Sequence, residues 1–267
     1  MLGAIIGDIA GSRFEFKEFK NKEFELFHAD CDYTDDSICT MATAEWLLCD
    51  GERTSEEYGV VLQRICRQFP HPMGGYGLSF AKWVKSDAPA PYGSYGNGSA
   101  MRVSPVGWAF DSFDQTMEMA KRCAAVTHNH REGIKGDQAV AAAIYWARQG
   151  ESKPTIRQKL EELTGYNLNK SCDDIRPHYH FDETCQGTVP EAIIAFLDSE
   201  DFEDAIRLAI SLGGDSDTLT CITGSIAEAY YGIPTAISDK ALSYLPASFR
   251  DLYDDFAANF GGLKSGH

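Results

Sequence analysis

A chain of 267 residues with 43% hydrophobic and 24% charged residues has an ordinary folded composition, which excludes disorder and supports a sizeable core. Its formal net charge of −16 opposes docking on nucleic-acid phosphates or anionic lipid, which call for clustered Lys and Arg. Part of that excess can belong to acids gathered around a cation site.

The chain opens MLGAIIGDIAGSRFEF. It lacks the basic start and long apolar run of a secretory leader, because Asp8 interrupts the run. No later stretch has the ~20 apolar residues of a spanning helix. The expectation is a soluble, unexported, cytoplasmic protein with no membrane partner. The small residues of Gly7-Asp8-Ile9-Ala10-Gly11-Ser12 allow close helix packing. Ile38, Met41 and Ala42 open a helix running toward Leu48. Tyr58, Val61, Leu62, Ile65, Cys66 and Phe69 keep the i, i+3, i+4, i+7 spacing of a helix. Residues 70–99 carry four prolines and six glycines and read as a long irregular region, a type that is usually functional or mobile. Helices are expected over 114–125 and 134–149. A second irregular insert, about 166–187, precedes a helix start at Thr188-Val189-Pro190-Glu191, with Thr188 as cap and Pro190 in the first turn. Phe202, Ala205, Ile206, Ala209 and Ile210 form one further stripe. Leu219, Ile222, Ile226 and Tyr230 form another, ended by Gly232 and Pro234. No segment alternates long enough to make a strand. The expected fold is all-α, a compact single-domain orthogonal helical bundle over residues 1–267 with a loose C-terminal tail from about 258. The eight scattered cysteines, Cys31, Cys39, Cys49, Cys66, Cys123, Cys172, Cys185 and Cys221, form no C-x-x-C pair and read as reduced, buried thiols.

Two acidic clusters carry chemistry. Tyr33-Thr34-Asp35-Asp36-Ser37 and Gly213-Gly214-Asp215-Ser216-Asp217-Thr218 each stand just before a helix. Capping is the plain explanation, since Asp, Ser and Thr favour the N-cap and acids favour the positive end of the helix dipole. One cap needs one side chain, however, and each cluster supplies two acids and a hydroxyl. Adjacent carboxylates repel, so a closed site holding them calls for cations. Gly213-Gly214 frees the backbone to turn Asp215 and Asp217 toward one centre. Oxygen-only ligands suit Mg²⁺, Mn²⁺ or Ca²⁺ over Zn²⁺. Two clusters could hold an ion pair at the roughly 3.5–4 Å of two-metal sites. A third feature, Tyr95-Gly96-Asn97-Gly98-Ser99-Ala100-Met101-Arg102, is a Gly-rich turn whose free N–H groups suit a phosphate or diphosphate.

The motifs GDIAGSRFE, YTDDS, YGNGSAMR, THNH and GGDSDT, in this order and at these separations, resemble those of the ADP-ribosylglycohydrolases over residues 1 to about 235. That resemblance implies an all-α hydrolase with a dinuclear Mg²⁺ or Mn²⁺ centre. Its action would be to cleave the glycosidic bond between ADP-ribose and a modified acceptor, first of all a protein arginine. Matched position by position, it implies Thr34, Asp35, Asp36, Asp215, Asp217 and Thr218 as metal ligands. It implies Asn97, Gly98, Ser99, Met101 and His128 as contacts to ADP-ribose, and Glu15 as an acid near the scissile bond. Glu15, Asp36 and Asp215 are the candidates to move protons. Ser37 and Ser216 depart from the Thr common in the family, at positions that are not ligands. The loop 16–32 matches nothing specific and is the candidate for setting substrate preference. Tyr92 or Tyr95 could stack on adenine.

Three other readings bear on function. A zinc site at His128-Asn129-His130 or His178-Tyr179-His180 lacks a completing Cys pair. An all-α two-metal enzyme of nucleotide phosphates would space its acids i, i+3 or i, i+4 along a helix, unlike these clusters. A non-catalytic ADP-ribose binder on the same fold would not need a full ligand set.

Overall fold

The computed structural model describes residues 1–261. Its elements are α1 (Leu2–Ser12), α2 (Asp35–Leu48), α3 (Ser55–Gln68), α4 (Leu78–Lys85), a 3-10 turn at Ala100–Arg102, α5 (Ser104–Ala109), α6 (Phe113–Ala125) and α7 (Arg131–Arg148). They continue as α8 (Lys153–Thr164), α9 (Cys172–Ile175), α10 (Cys185–Asp198), α11 (Phe202–Ser211), α12 (Ser216–Tyr231), α13 (Thr235–Leu242) and α14 (Ala247–Phe260). Among the described residues there is no strand, as the periodicity indicates, only two isolated bridges, Thr34 with Met73 and Gly96 with Thr184.

The pair α1 and α12 sets the geometry of everything else. Every residue of α1 is buried, so its sequence is apolar all round except at Asp8 and Ser12. Gly3, Gly7 and Gly11 recur every four residues and form one stripe against α12. A Cβ built at Gly3 would lie 2.1 Å from the Gly224 carbonyl oxygen, at Gly7 2.1 Å from that of Thr220, and at Gly11 2.5 Å from that of Ser216. The order of those partners makes the helices antiparallel. Contact this close of two backbones is possible only without side chains. It brings the end of α1, with Glu15 just beyond it, beside the start of α12, where Asp215 and Asp217 stand.

Local signals fix the other helix starts. Thr54 and Glu57 form a reciprocal capping box on α3, Ser112 caps α6, and Asp201 caps α11. The Ala-rich stretch Ala139–Ala143 of α7 is wholly buried; small side chains let neighbouring helices approach this central element closely.

Several boundaries differ from the sequence expectation. The stretch 70–99 is interrupted by α4, whose Phe80, Trp83 and Val84 turn inward. The insert 166–187 contains the single turn α9. The helix expected from Thr188 begins at Cys185, capped by Thr184 accepting from Gly187 N. Pro190 therefore sits within α10, where it lacks the N–H that would bond the carbonyl of Gln186. Gln186 is exposed, so water can serve that carbonyl. Cys49 is exposed at the end of α2, whereas the other seven cysteines are buried. The tail expected to be loose from about 258 is helical through Phe260, and residues 262–267 lie outside the described residues. No described helix is long and apolar enough to cross a membrane.

Candidate active site

A cleft of about 810 Å³ opens where the N-termini of α2 and α12 face the Gly-rich segment 93–98. Glu15, Asp35, Asp36, Asp215, Asp217 and Thr218 line it. The two acidic clusters, far apart in sequence, thus share one cavity. Oxygens of Asp8, Asp36 and Asp217 lie within 4.8 Å of one another, as do those of Glu15, Asp215 and Asp217. Asp217 belongs to both groups and joins them.

The turn before α2 is held from behind by Asp8, which reasoning from sequence passed over. Its Oδ1 accepts from the Thr34 hydroxyl at 2.7 Å. Its Oδ2 accepts from Thr34 N at 2.9 Å and Ser37 N at 3.0 Å, and also from the Ser37 hydroxyl. Four donors engage both oxygens, so Asp8 acts on the cleft by fixing the Thr34–Ser37 turn. A lone acid in an otherwise apolar helix was the signal that could have found it. Thr34 is fully buried; its hydroxyl also accepts from Asp36 N at 3.2 Å as the N-cap, which leaves one lone pair free.

Asp36 reaches the cavity with Oδ1 buried and without any hydrogen-bond partner. Its Oδ2 can accept from the Thr218 hydroxyl at 3.4 Å; the Thr34 hydroxyl is equally distant but gives its one proton to Asp8. Asp217 Oδ1 accepts from Thr218 N at 2.9 Å. Asp215 follows Gly213 and Gly214, both in the left-handed region at φ 72° and 77°, and this turn aims it inward as the two glycines suggest. Its Oδ2 accepts from Asn97 Nδ2 at 2.6 Å.

Burial pushes the carboxyls of Asp35, Asp36 and Asp217 well above the usual carboxylate range, and the negative charge of neighbouring acids, Asp8 first for Asp35 and Asp36 and Asp215 first for Asp217, pushes them further. Glu15 rises to about 7 from burial and from the charges of Asp215 and Asp8. None of these acids forms an ion pair among the described residues. An orphaned buried carboxylate oxygen, crowded acids and an all-oxygen donor set fit hard divalent cations.

Asn97, Gly98, Met101 and His128 also line the cleft. Ser99 does not: it is fully buried, and its hydroxyl donates to the Gly133 carbonyl at 2.9 Å beneath the Gly-rich turn. Tyr92 and Tyr95 stand at the rim. Sequence reasoning missed a further part of the lining, where Phe16 and Phe181 stack with ring centroids 6.0 Å apart and Glu183 joins them. Phe16 belongs to the loop 16–32; the same loop folds Phe19 and Phe24 onto Phe14. His130 caps α7 by accepting from Glu132 N. Neither acid group contains a histidine, which gives the zinc reading no support.

Comparison with known proteins accords with this arrangement. A family model described as ADP-ribosylglycohydrolase matches residues 1–265. The ADP-ribosylhydrolase ARH3 of Bos taurus is 30% identical, the match covering 87% of this chain and 84% of that protein. The ADP-ribosylarginine hydrolase Tri1 of Pseudomonas putida is 26% identical, covering 87% of this chain and 70% of that protein. A solved structure titled ADP-ribosylglycohydrolase-related protein complex superposes with a TM-score of 0.71 at 25% identity, covering 97% of this chain and 96% of that chain.

Proposed function

The chain belongs to the ADP-ribosylglycohydrolase family, and from that premise we propose that it hydrolyses the bond between ADP-ribose and a protein side chain, arginine first, with two Mg²⁺ or Mn²⁺ ions. The observation that carries this reading is the meeting of Asp36, Asp215 and Asp217 in one cleft, with Asp36 Oδ1 unpartnered. Asp35, Asp36, Asp215 and Asp217 would hold the ions, with the hydroxyls of Thr34 and Thr218. A divalent pair there would neutralise the acids and lend Lewis acidity toward sugar hydroxyls and water.

The protein's own groups then have three tasks. Asn97, Gly98, Met101 and His128 seat the ADP-ribose, while Ser99 supports the turn from below. Glu15 moves the proton: it lines the cleft outside both dense acidic clusters, where a carboxylate can take a proton from water and give one to the departing group. Asp36 and Asp215 are the other acids placed to do so. Reaction at ribose C1 passes through an oxocarbenium-like state, and carboxylates beside it stabilise the positive charge. The acceptor end would lie at the Phe16–Phe181 pair. Exposed aromatic rings with Glu183 in the same lining suit a guanidinium, which supports arginine, while the net charge of −16 disfavours a nucleic-acid acceptor. Unpaired buried thiols support a reducing, cytoplasmic setting.

The test is a panel of substrates ADP-ribosylated on different acceptors, with mass-spectrometric detection of free ADP-ribose. Release from arginine-linked substrate, abolished by EDTA and restored by Mg²⁺ or Mn²⁺, is expected. Unchanged turnover in EDTA would remove the metals from the reading, and full turnover by Glu15→Gln would move the proton role elsewhere.

A further inference from the structure

We propose that Arg102 and Thr127 are positioning residues that fix His128 as a neutral imidazole with its proton on Nε2, a hydrogen-bond donor aimed at the Gly96–Gly98 turn. The inference concerns how one side of the cleft is built, and it rests on the functional reading only for what His128 would donate to.

The path begins at Arg102, which is almost fully buried although charged. Its Nη2 donates to the Cys123 carbonyl at 3.1 Å and to Thr127 Oγ1 at 2.8 Å. Thr127 is fully buried, and Oγ1 stands 2.7 Å from His128 Nδ1. A guanidinium can only donate, so Thr127 Oγ1 is an acceptor toward Arg102. The hydroxyl has one proton to place. If Nδ1 carried a hydrogen, Thr127 would accept from both neighbours, and its own proton would be buried without a partner. Leaving a buried donor unmet costs about 1–3 kcal/mol. The arrangement that satisfies both the Thr127 hydroxyl and His128 Nδ1 has Thr127 donate to Nδ1. Nδ1 is then the acceptor and Nε2 bears the hydrogen.

Charge agrees with this assignment. Burial and the nearby Arg102 guanidinium hold His128 well below its usual range, so the ring is neutral at physiological pH. Nε2 makes no hydrogen bond among the described residues, and it faces the glycines: a Cβ at Gly98 would lie 3.4 Å from it, and one at Gly96 3.6 Å. Thr127 also ties the ring to the loop, since its carbonyl accepts from Tyr92 N and Ser94 N, each at 3.4 Å. Asp137 lies buried near Arg102, with both carboxyl oxygens unpartnered. It takes none of the guanidinium's hydrogens, which leaves Nη2 to Cys123 and Thr127. An Nε2–H donor facing the cleft suits an oxygen acceptor such as a phosphate or ribose oxygen, and it adds no charge that would compete with cations in the neighbouring acid cluster.

The experiment is long-range ¹H–¹⁵N correlation on ¹⁵N-histidine-labelled full-length protein at neutral pH, with His128→Gln used to assign the signal. His128 should show a pyrrole-type Nε2 and a pyridine-type Nδ1. Thr127→Val keeps the shape of the side chain but removes the hydroxyl. It should give a mixture of tautomers and weaken ADP-ribose binding about five- to tenfold. Thr127→Ser should restore both. A proton on Nδ1 in the wild type, or a Thr127→Val spectrum matching the wild type, overturns the proposal. Observing the Nε2–H form in a protein that does not bind ADP-ribose would uphold the relay while rejecting the functional reading.

Discussion

Asn97 Nδ2 donates to Asp215 Oδ2 at 2.6 Å, joining residues 118 positions apart. The same amide group reaches Thr188 Oγ1 at 3.1 Å. Asn97 is therefore the link between the Gly-rich turn, α10 and the second acidic cluster. It orients Asp215 so that one oxygen remains for the cleft.

Substituting Asn97→Ala should lower kcat/KM about thirtyfold, the equivalent of a lost hydrogen bond to a charged group at ~2 kcal/mol. Thermal stability should change little by comparison. Steady-state kinetics on ADP-ribosylated substrate beside a melting curve separates the two. Wild-type kcat/KM in this variant would show that Asp215 needs no such guide.

Asp8 and Asp217 should behave differently although they lie in one acid group. Asp8→Asn leaves a side chain that cannot accept from four donors, so the urea midpoint should fall by an amount worth about 2–3 kcal/mol. Asp217→Ala removes an acid from a crowded, repulsive cluster. It should leave the metal-free protein as stable or more stable while eliminating most Mg²⁺ binding and nearly all turnover. Calorimetric titration with Mg²⁺ checks this, and retained binding in Asp217→Ala would contradict the assignment.

Divalent cation should stabilise the protein more at pH 8 than at pH 5.5. In the folded, metal-free protein Glu15, which lines the cleft, holds its proton up to about 7, above the free value of about 4.3. Between those limits the folded state binds more protons than the unfolded one, so metal-free stability falls as pH rises through the window. Cations compete with those protons, and their effect grows over the same interval. The buried neutral His128 has the opposite sign below its unfolded value, but it contributes equally with and without metal and cancels in the difference. A melting-temperature increment on Mg²⁺ addition that is flat from pH 5.5 to 8 would argue against carboxylate ligands.

The α1–α12 contact should be the least tolerant place in the fold. Gly7→Ala puts a methyl 2.1 Å from the Thr220 carbonyl oxygen and should cost about 3 kcal/mol by forcing the helices apart. Gly150→Ala is the control. Gly150 has φ 76° and nothing within 4 Å of an added Cβ, so the cost is backbone strain alone, about 1 kcal/mol. Equal urea midpoints for the two variants would mean that the contact is not tight.

Much of this was written locally. The all-helical class and most helix positions follow from apolar spacing and caps, because a helix face and its N-cap are set within a turn or two of chain. The acidic clusters were legible for a similar reason: two acids and a hydroxyl exceed what one cap uses. The early start of α10 and the helix inside 70–99 were misread, because the burial of Cys185 and of Phe80, Trp83 and Val84 outweighs the punctuation of Pro and Gly.

Other features depend on partners far away in the chain. That Asp8 serves the α2 turn rather than the cavity is decided by which donors fold against it. That Ser99 turns down to Gly133 while Asn97 turns in to Asp215 depends on where α7 and α12 lie. Residue types and short-range spacing settle which groups are available. The directions of their lone pairs and protons, and hence the chemistry they can share, are set only when distant helices close around them.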